Sequence, residues 1–124
     1  MTEKPFVVAC ILAYDEERAI GSVLVRTMKH VDKVVVCDDG SMDLTEEIAA
    51  GLGAVAVRHE HNRGYDAALR SSSQEALKLG ANVVVTFDGD GQHDPGEIPR
   101  LVGRLGTGDV GVVIGSRFLE GSDL

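Results

Sequence analysis

The sequence predicts an α/β domain built around a mostly parallel sheet. Two observations point to this fold class. Short apolar runs rich in Val and Ile recur along the chain, and segments with apolar residues at a spacing of three and four lie between them. Such runs are typical of strands buried on both faces, and the intervening pattern is typical of helices. Because strand and helix alternate, we expect one three-layer domain over residues 1–124.

The pattern places five strands and four helices in order. The strands are expected at residues 6–13, 33–37, 54–57, 82–87 and 110–114. The helices are expected at residues 15–30, 43–52, 65–79 and 96–105. Gly51, Gly53 and Gly80 fall where helices should end, as is usual for glycine.

Composition limits the classes of partner. Twenty acidic and twelve basic residues give a formal net charge of −8, so most of the surface would repel a nucleic-acid backbone. The longest apolar run, residues 6–13, is far shorter than the roughly 20 residues of a membrane-spanning helix. Cys10 and Cys37 lie inside apolar runs and are predicted to be core residues without a disulfide. The first residues lack a secretory pattern, so a cytoplasmic location is expected.

Acidic residues follow three of the predicted strands. They occur in residues 13–17, 38–41 and 88–94. In an open α/β sheet, ligands bind at the carboxyl ends of the strands. Crowded carboxylates repel one another, and a divalent cation is the simplest compensation.

The segment Asp88-Gly89-Asp90 is the strongest indication of a cation site in the sequence. Two carboxylates one residue apart, on a turn after a buried strand, can share one hard cation such as Mg²⁺ or Mn²⁺. Gly89 and Gly91 would let an anion approach the backbone, and Gln92 would add a carbonyl oxygen. The alternative is an ordinary turn rich in Asp and Gly.

Three other patterns point less clearly to chemistry. Residues 51–56 fit the letters of a dinucleotide fingerprint but follow a helix rather than a strand. Residues 88–99 begin like a calcium loop but have His93 and Pro99 where Gly and Glu are needed. His59 and His61 are predicted to be solvated loop residues rather than metal ligands.

Residues 83–91 also resemble the nucleophile strand of haloacid-dehalogenase-type phosphatases. In that family the first Asp attacks phosphorus and the second handles the leaving group. The same chemistry requires a later Lys, and no Lys follows His93. A phosphatase remains an alternative at this point.

Five segments in order resemble the nucleotide-sugar half of family 2 glycosyltransferases, which have the GT-A fold. The closest resemblance is to dolichyl- or polyprenyl-phosphate mannose and glucose synthases. The segments read AYDEE at 13–17, CDDGSMD at 37–43, NRGYDAAL at 62–69, DGDGQHDPGEIP at 88–99 and GSRF at 115–118.

The resemblance implies a metal-dependent transferase that moves a hexose from a nucleotide sugar, of the GDP-mannose or UDP-glucose type. Polyprenyl or dolichyl phosphate is the favoured acceptor. The residues expected at the nucleotide sugar are Leu12, Tyr14, Glu16, Asp39, Asp88, Gly89, Asp90 and Arg117. The metal ligands would be Asp88, Asp90 and Gln92, with Mg²⁺ or Mn²⁺ as the cofactor. Asp90 and Arg117 would be catalytic, the latter at a phosphate.

Family members continue into a part that binds the acceptor. The chain is therefore expected to be the N-terminal nucleotide-sugar-binding part, with the acceptor-binding part absent. A second copy would cover the exposed end of the sheet, so a homodimer is predicted. A lipid acceptor would place the protein at the cytoplasmic face of the membrane. The alternative function is a module that binds nucleotide sugar and metal but transfers nothing.

Overall fold

The computed structural model describes residues 4–103 and the strand residues 111–114. The strands are β1 (Val7–Ala13), β2 (Lys33–Asp38), β3 (Val55–Arg58), β4 (Val83–Asp88) and β5 (Gly111–Ile114). The helices are α1 (Ile20–Thr27), α2 (Thr45–Gly51), α3 (Tyr65–Lys78) and α4 (Ile98–Gly103), with a 3₁₀ turn at Pro95–Glu97.

The strands form one parallel sheet in the order β3-β2-β1-β4-β5. At the carboxyl edge, Leu12 of β1 lies between Cys37 of β2 and Asp88 of β4. The chain builds outward from β1 in one direction and then crosses to β4 on its other side. The point between β1 and β4 is therefore the switch point at which open α/β sheets bind ligands.

Helices cover both faces of the sheet, so the predicted α/β class is confirmed and the layers number three. Ala9 and Ile11 of β1 pack in the core that includes α1, α2 and α4. Val8 and Cys10 lie on the opposite face, in the core that includes α3. Cys10 and Cys37 are buried and free, as predicted, and burial raises the pKa of each thiol to about 12.

The first helix is shorter than predicted at both ends. It begins at Ile20 rather than at residue 15 and ends at Thr27. Asp15 has a φ of 51°, in the left-handed region, which interrupts a right-handed helix. The Glu16 N–H donates to the side chain of Thr45 at the start of α2, and the Glu17 N–H donates to Asp43 in the loop before it. Both groups are therefore satisfied without helical bonds.

The last helix also begins later than predicted. The Asp94 side chain accepts a hydrogen bond from the Gly96 N–H at 2.9 Å and caps the 3₁₀ turn. The α-helix then starts at Ile98. Pro99 has no N–H, so it is tolerated only in the first turn of a helix. The predicted helix end at residue 105 lies outside the described residues.

Candidate functional site

A cavity of about 290 Å³ lies at the carboxyl edge of the sheet, beside the switch point between β1 and β4. Its walls come from β1, the ends of β2 and β4, and the start of α3. The lining residues are Leu12, Ala13, Tyr14, Glu16, Asp39, Asn62, Gly64, Tyr65, Ala68, Asp88 and Asp90. Six of the residues predicted at the nucleotide sugar are among them, and strands far apart in sequence bring them together.

One wall of the cavity is apolar. Leu12 is buried at the end of β1 and packs with Cys37 and Ala68. Tyr14, the next residue but one, is 46% exposed and lies at the mouth of the cavity. An aromatic ring at an open rim can cover the flat face of a planar ligand.

The cavity is also lined by three carboxylates close to one another, those of Glu16, Asp88 and Asp90. Burial raises the pKa of Glu16, and the nearby charges of Asp90 and Asp88 raise it further. The three groups are therefore close enough to repel one another. A nearby cation would offset this repulsion.

The donor set fits Mg²⁺ or Mn²⁺ held jointly with a substrate. Within the described part of the chain, no three His, Cys, Asp or Glu side chains are already arranged to enclose a metal ion. Asp88 and Asp90 would supply one or two ligands, and substrate phosphates and water the rest, as is usual for Mg²⁺. Asp90 Oδ1 also accepts a hydrogen bond from the Gln92 N–H at 2.9 Å, which orients its carboxylate.

Two residues of the predicted site do not line the cavity, and a third lies outside the described residues. A Cβ at Gly89 would point into the core. It would lie 3.1 Å from Ile11 Cγ2 and 3.2 Å from Ile20 Cδ1. Packing therefore accounts for a glycine at this position. Gln92 is exposed and does not line the cavity. Arg117 lies outside the described residues.

Asp39 is 6% exposed and is held by hydrogen bonds on both carboxylate oxygens. Oδ1 accepts from His59 Nδ1 at 2.7 Å and from the Arg63 N–H at 2.9 Å. Oδ2 accepts from the Gly64 N–H at 2.9 Å. Burial by itself raises the pKa of Asp39, but the bonds from His59, Arg63 and Gly64 outweigh it and lower the pKa below its ordinary value. Asp39 thus faces the cavity as an ionised acceptor.

The prediction that His59 is solvated is wrong. His59 is 6% exposed, and its Nε2 lies 2.8 Å from Ser71 Oγ on α3. The backbone N–H of His59 donates to the backbone carbonyl of Asp38 at 2.9 Å, which continues the β2–β3 pairing by one residue. Period-two alternation from Val55 and Val57 would have placed His59 on the face toward α3. His61 is exposed, as predicted.

Asp38, next to Asp39, has a structural role. It is fully buried, and its Oδ2 accepts from Arg58 Nη1 at 2.7 Å. Its Oδ1 accepts from the Ser41 N–H at 2.9 Å, while Arg58 Nη2 donates to the Ser41 carbonyl at 2.8 Å. These bonds close the loop after β2.

Two loops hold each other at the edge of the cavity. The Asp15 N–H donates to Ser41 Oγ at 2.7 Å, and the Met42 N–H donates back to Asp15 Oδ1 at 2.9 Å. The Glu16 N–H donates to Thr45 Oγ1 at 2.8 Å. The backbone of Glu16 is thereby held by the side chain of Thr45. The sequence offered no local signal for this arrangement.

A cavity with a carboxylate cluster at the switch point of a parallel sheet is the arrangement of a GT-A glycosyltransferase domain. Residues 8–124 match Glycosyl transferase family 2, and the chain belongs to that family. The resemblance found in the sequence is therefore confirmed.

Two curated relatives act on lipid phosphates by name. The chain is 37% identical over 112 residues to a dolichyl-phosphate hexose transferase of Haloferax volcanii, covering 89% of the chain and 47% of that protein. It is 33% identical over 126 residues to the UDP-N-acetylglucosamine–dolichyl-phosphate N-acetylglucosaminyltransferase of Methanococcus voltae, covering 87% and 50%. The chain thus spans about half the length of these relatives.

A solved structure shares the fold. It is glucosyl-3-phosphoglycerate synthase from Mycobacterium tuberculosis in complex with Mn²⁺ and UDP-glucose, with a TM-score of 0.66 and 28% identity. The match covers 82% of this chain and 39% of that one. In the described part of the present chain, every helix is too short or too polar to cross a membrane.

Proposed function

We propose that the cavity binds a nucleotide sugar with a divalent metal, and that the protein transfers the hexose to a polyprenyl or dolichyl phosphate. One observation carries the proposal: the carboxylates of Glu16, Asp88 and Asp90 share a cavity with Asp39 at the switch point of the sheet. The lipid-phosphate relatives support the acceptor class. The solved complex with Mn²⁺ and UDP-glucose supports the donor class, GDP- or UDP-linked, and the metal.

Different lining residues would hold different parts of the donor, with Glu16 between the nucleoside and the diphosphate. Leu12 and Tyr14 would line the pocket for the base and ribose, together with Glu16. Asp39 would accept a hydrogen bond from an N–H of the base or a hydroxyl of the ribose, because an ionised carboxylate only accepts. The diphosphate would then lie toward Asp88 and Asp90, beside the backbone of Gly89.

The reaction forms a bond from an acceptor phosphate oxygen to the anomeric carbon. The bond from that carbon to the diphosphate breaks, and the nucleoside diphosphate leaves with the electron pair. Asp88 and Asp90 would hold Mg²⁺ or Mn²⁺, which would offset the charge that develops on the leaving group. Gln92 could join them only if its side chain turned toward the cavity, which it does not line. Arg117 would contact a phosphate. The acceptor is already an anion, so the attack needs little help from a base.

The test is transfer of radiolabelled hexose from GDP-mannose or UDP-glucose to polyprenyl phosphate, with Mn²⁺, Mg²⁺ or EDTA. Asp90→Asn should lower the rate by at least about 100-fold, the usual effect of losing a preorganised group at developing charge. Asp94→Asn is the matched control, because Asp94 lies in the same loop and outside the cavity. Equal rates for Asp90→Asn and wild type would refute the assignment of the site.

The transfer assay and a measurement of nucleotide binding together separate the alternatives. Nucleotide binding without transfer would identify the non-catalytic module. Metal-dependent binding should raise the melting temperature, because a ligand at 100 times its Kd stabilises by about 2.7 kcal/mol. Family membership leaves the phosphatase alternative without support.

We further propose that the protein is cytoplasmic, meets its lipid acceptor at the membrane surface and forms a homodimer. Co-sedimentation with vesicles that contain polyprenyl phosphate tests the contact with the membrane surface. Light scattering tests the homodimer, since the chain has a mass of 13.1 kDa and a homodimer doubles it. Monodisperse monomer would exclude the homodimer.

A further inference from the structure

We propose that His59 is a positioning residue for nucleotide binding, which holds the Asp39 carboxylate in the orientation that accepts a hydrogen bond from the nucleoside. This inference rests on the proposed function of the cavity. His59 does not line the cavity and is 6% exposed. Its direct link to the cavity is the 2.7 Å contact with Asp39, which lines it.

The imidazole of His59 is fixed at both nitrogens. Nδ1 lies 2.7 Å from Asp39 Oδ1, and Nε2 lies 2.8 Å from Ser71 Oγ. An ionised carboxylate cannot donate, so Nδ1 must carry the proton in this contact. In the neutral ring, Nε2 then accepts from the Ser71 hydroxyl. The ring thus links the end of β2 to α3 with a defined orientation.

The hydrogen bonds of Asp39 leave room for one more donor. Oδ1 has two donors, His59 Nδ1 and the Arg63 N–H, which fill its two acceptor positions. Oδ2 has one, the Gly64 N–H, and so retains an acceptor position. Asp39 lines the cavity, so a ligand N–H or O–H can take that position. Without His59, Oδ1 loses its shortest hydrogen bond, and only the Arg63 and Gly64 N–H groups hold the carboxylate.

Two substitutions of His59 separate positioning from packing. The amide nitrogen of Asn falls near the place of Nδ1, and that of Gln near the place of Nε2. His59→Asn therefore keeps a donor for Asp39 and loses the Ser71 contact, while His59→Gln does the reverse. His61→Gln is the matched control, because His61 is exposed in the same loop.

The measurement is calorimetric titration of the full 124-residue chain with GDP and UDP in the presence of Mn²⁺. For the nucleotide that wild type binds, His59→Gln should weaken Kd about tenfold or more, the usual effect of losing a hydrogen bond to a charged group. His59→Asn should restore Kd to within about threefold, and His61→Gln should match wild type. In an Asp39→Asn background, His59→Gln should have no further effect, because the two residues act as one unit.

Other outcomes overturn the inference. Equal weakening by His59→Asn and His59→Gln, or a lower melting temperature with unchanged Kd, would make His59 merely structural. Wild type that binds neither nucleotide would refute the proposed function itself, which is a distinct result. If His59→Gln does not fold, nitrogen NMR of wild type decides: nucleotide should shift the His59 Nδ1 resonance, and no shift overturns the inference.

Discussion

At the scale of single residues, Gly40 shows how closely the loops of the site approach each other. Gly40 follows Asp39 with a φ of +87°. A Cβ at this position would lie 2.5 Å from both the Asn62 nitrogen and the His61 carbonyl carbon. The loop after β2 is therefore in backbone contact with the loop after β3. This contact brings the Arg63 and Gly64 N–H groups onto Asp39.

We expect Gly40→Ala to destabilise the fold more than Gly53→Ala. Both positions have positive φ, which costs a non-glycine residue about 1–2 kcal/mol. Only Gly40 also lacks space, and separating the two backbones should add roughly 1–3 kcal/mol. Nothing lies within 4 Å of a Cβ at Gly53, so that variant is the matched control. Urea unfolding measures both, and equal losses would contradict the close approach of the loops.

At the scale of elements, the loop after β1 owes its shape to the loop after β2. The N–H groups of Asp15 and Glu16 donate to the side chains of Ser41 and Thr45 rather than to carbonyls of their own segment. This is why helix α1 begins five residues later than its apolar spacing predicts. The non-helical segment that results carries Tyr14 and Glu16 to the cavity.

We expect Thr45→Val to release the segment that carries Glu16. The substitution keeps the volume of a fully buried side chain. It removes a hydroxyl that donates to Asp43 and whose oxygen accepts the Glu16 N–H. Loss of that bond should cost about 1–3 kcal/mol, because the N–H is left without a partner. Hydrogen exchange should be faster at the Glu16 amide.

Thr27→Val is the control for this prediction. Thr27 is also fully buried, but its hydroxyl donates to the Val23 carbonyl within its own helix, so its removal leaves no N–H unpaired. The Glu16 amide should exchange as in wild type. An unchanged Glu16 amide in Thr45→Val would show that the loop is held by other contacts.

At the scale of the whole molecule, the chain has a net charge of −8, and several of its carboxylates lie where the carboxyl ends of the strands meet. The parallel sheet brings Glu16 near Asp88 and Asp90, and burial together with these charges raises the pKa of Glu16. Because the folded pKa is raised, the ionised form of Glu16 destabilises the fold at pH 7. That cost disappears as the pH falls through the folded pKa. Without a cation, the ionised carboxylates of the site therefore lower the stability of the fold.

We expect Glu16→Gln to raise the melting temperature in EDTA at pH 7. The gain should be a few degrees, which corresponds to about 1 kcal/mol in a domain of this size. The difference from wild type should shrink as the pH is lowered from 7 toward 4.5, the ordinary pKa of Glu. Glu60→Gln, an exposed residue with the same change in net charge, should have little effect. A lower melting temperature for Glu16→Gln would contradict the repulsion.

The sequence by itself determined the order of strands and helices along the chain, and it identified the loops that carry the site. Apolar runs and three-and-four spacing are local signals, so strand bounds such as 33–37 differ from Lys33–Asp38 by one residue. The family motifs are also local, and they pointed to Asp39, Asp88 and Asp90 before any coordinates. Their side chains could be placed at one edge because parallel strands share a carboxyl edge.

Only the tertiary structure decided how these loops contact one another. The burial of His59, the late start of helix α1 and the packing of Gly89 against Ile11 and Ile20 all depend on residues far away in sequence. No periodicity within one segment reports which partner a distant loop will supply. Pairing of β1 with β2 and β4 brings those partners together, and the hydrogen bonds they form then outweigh the local preference of each segment.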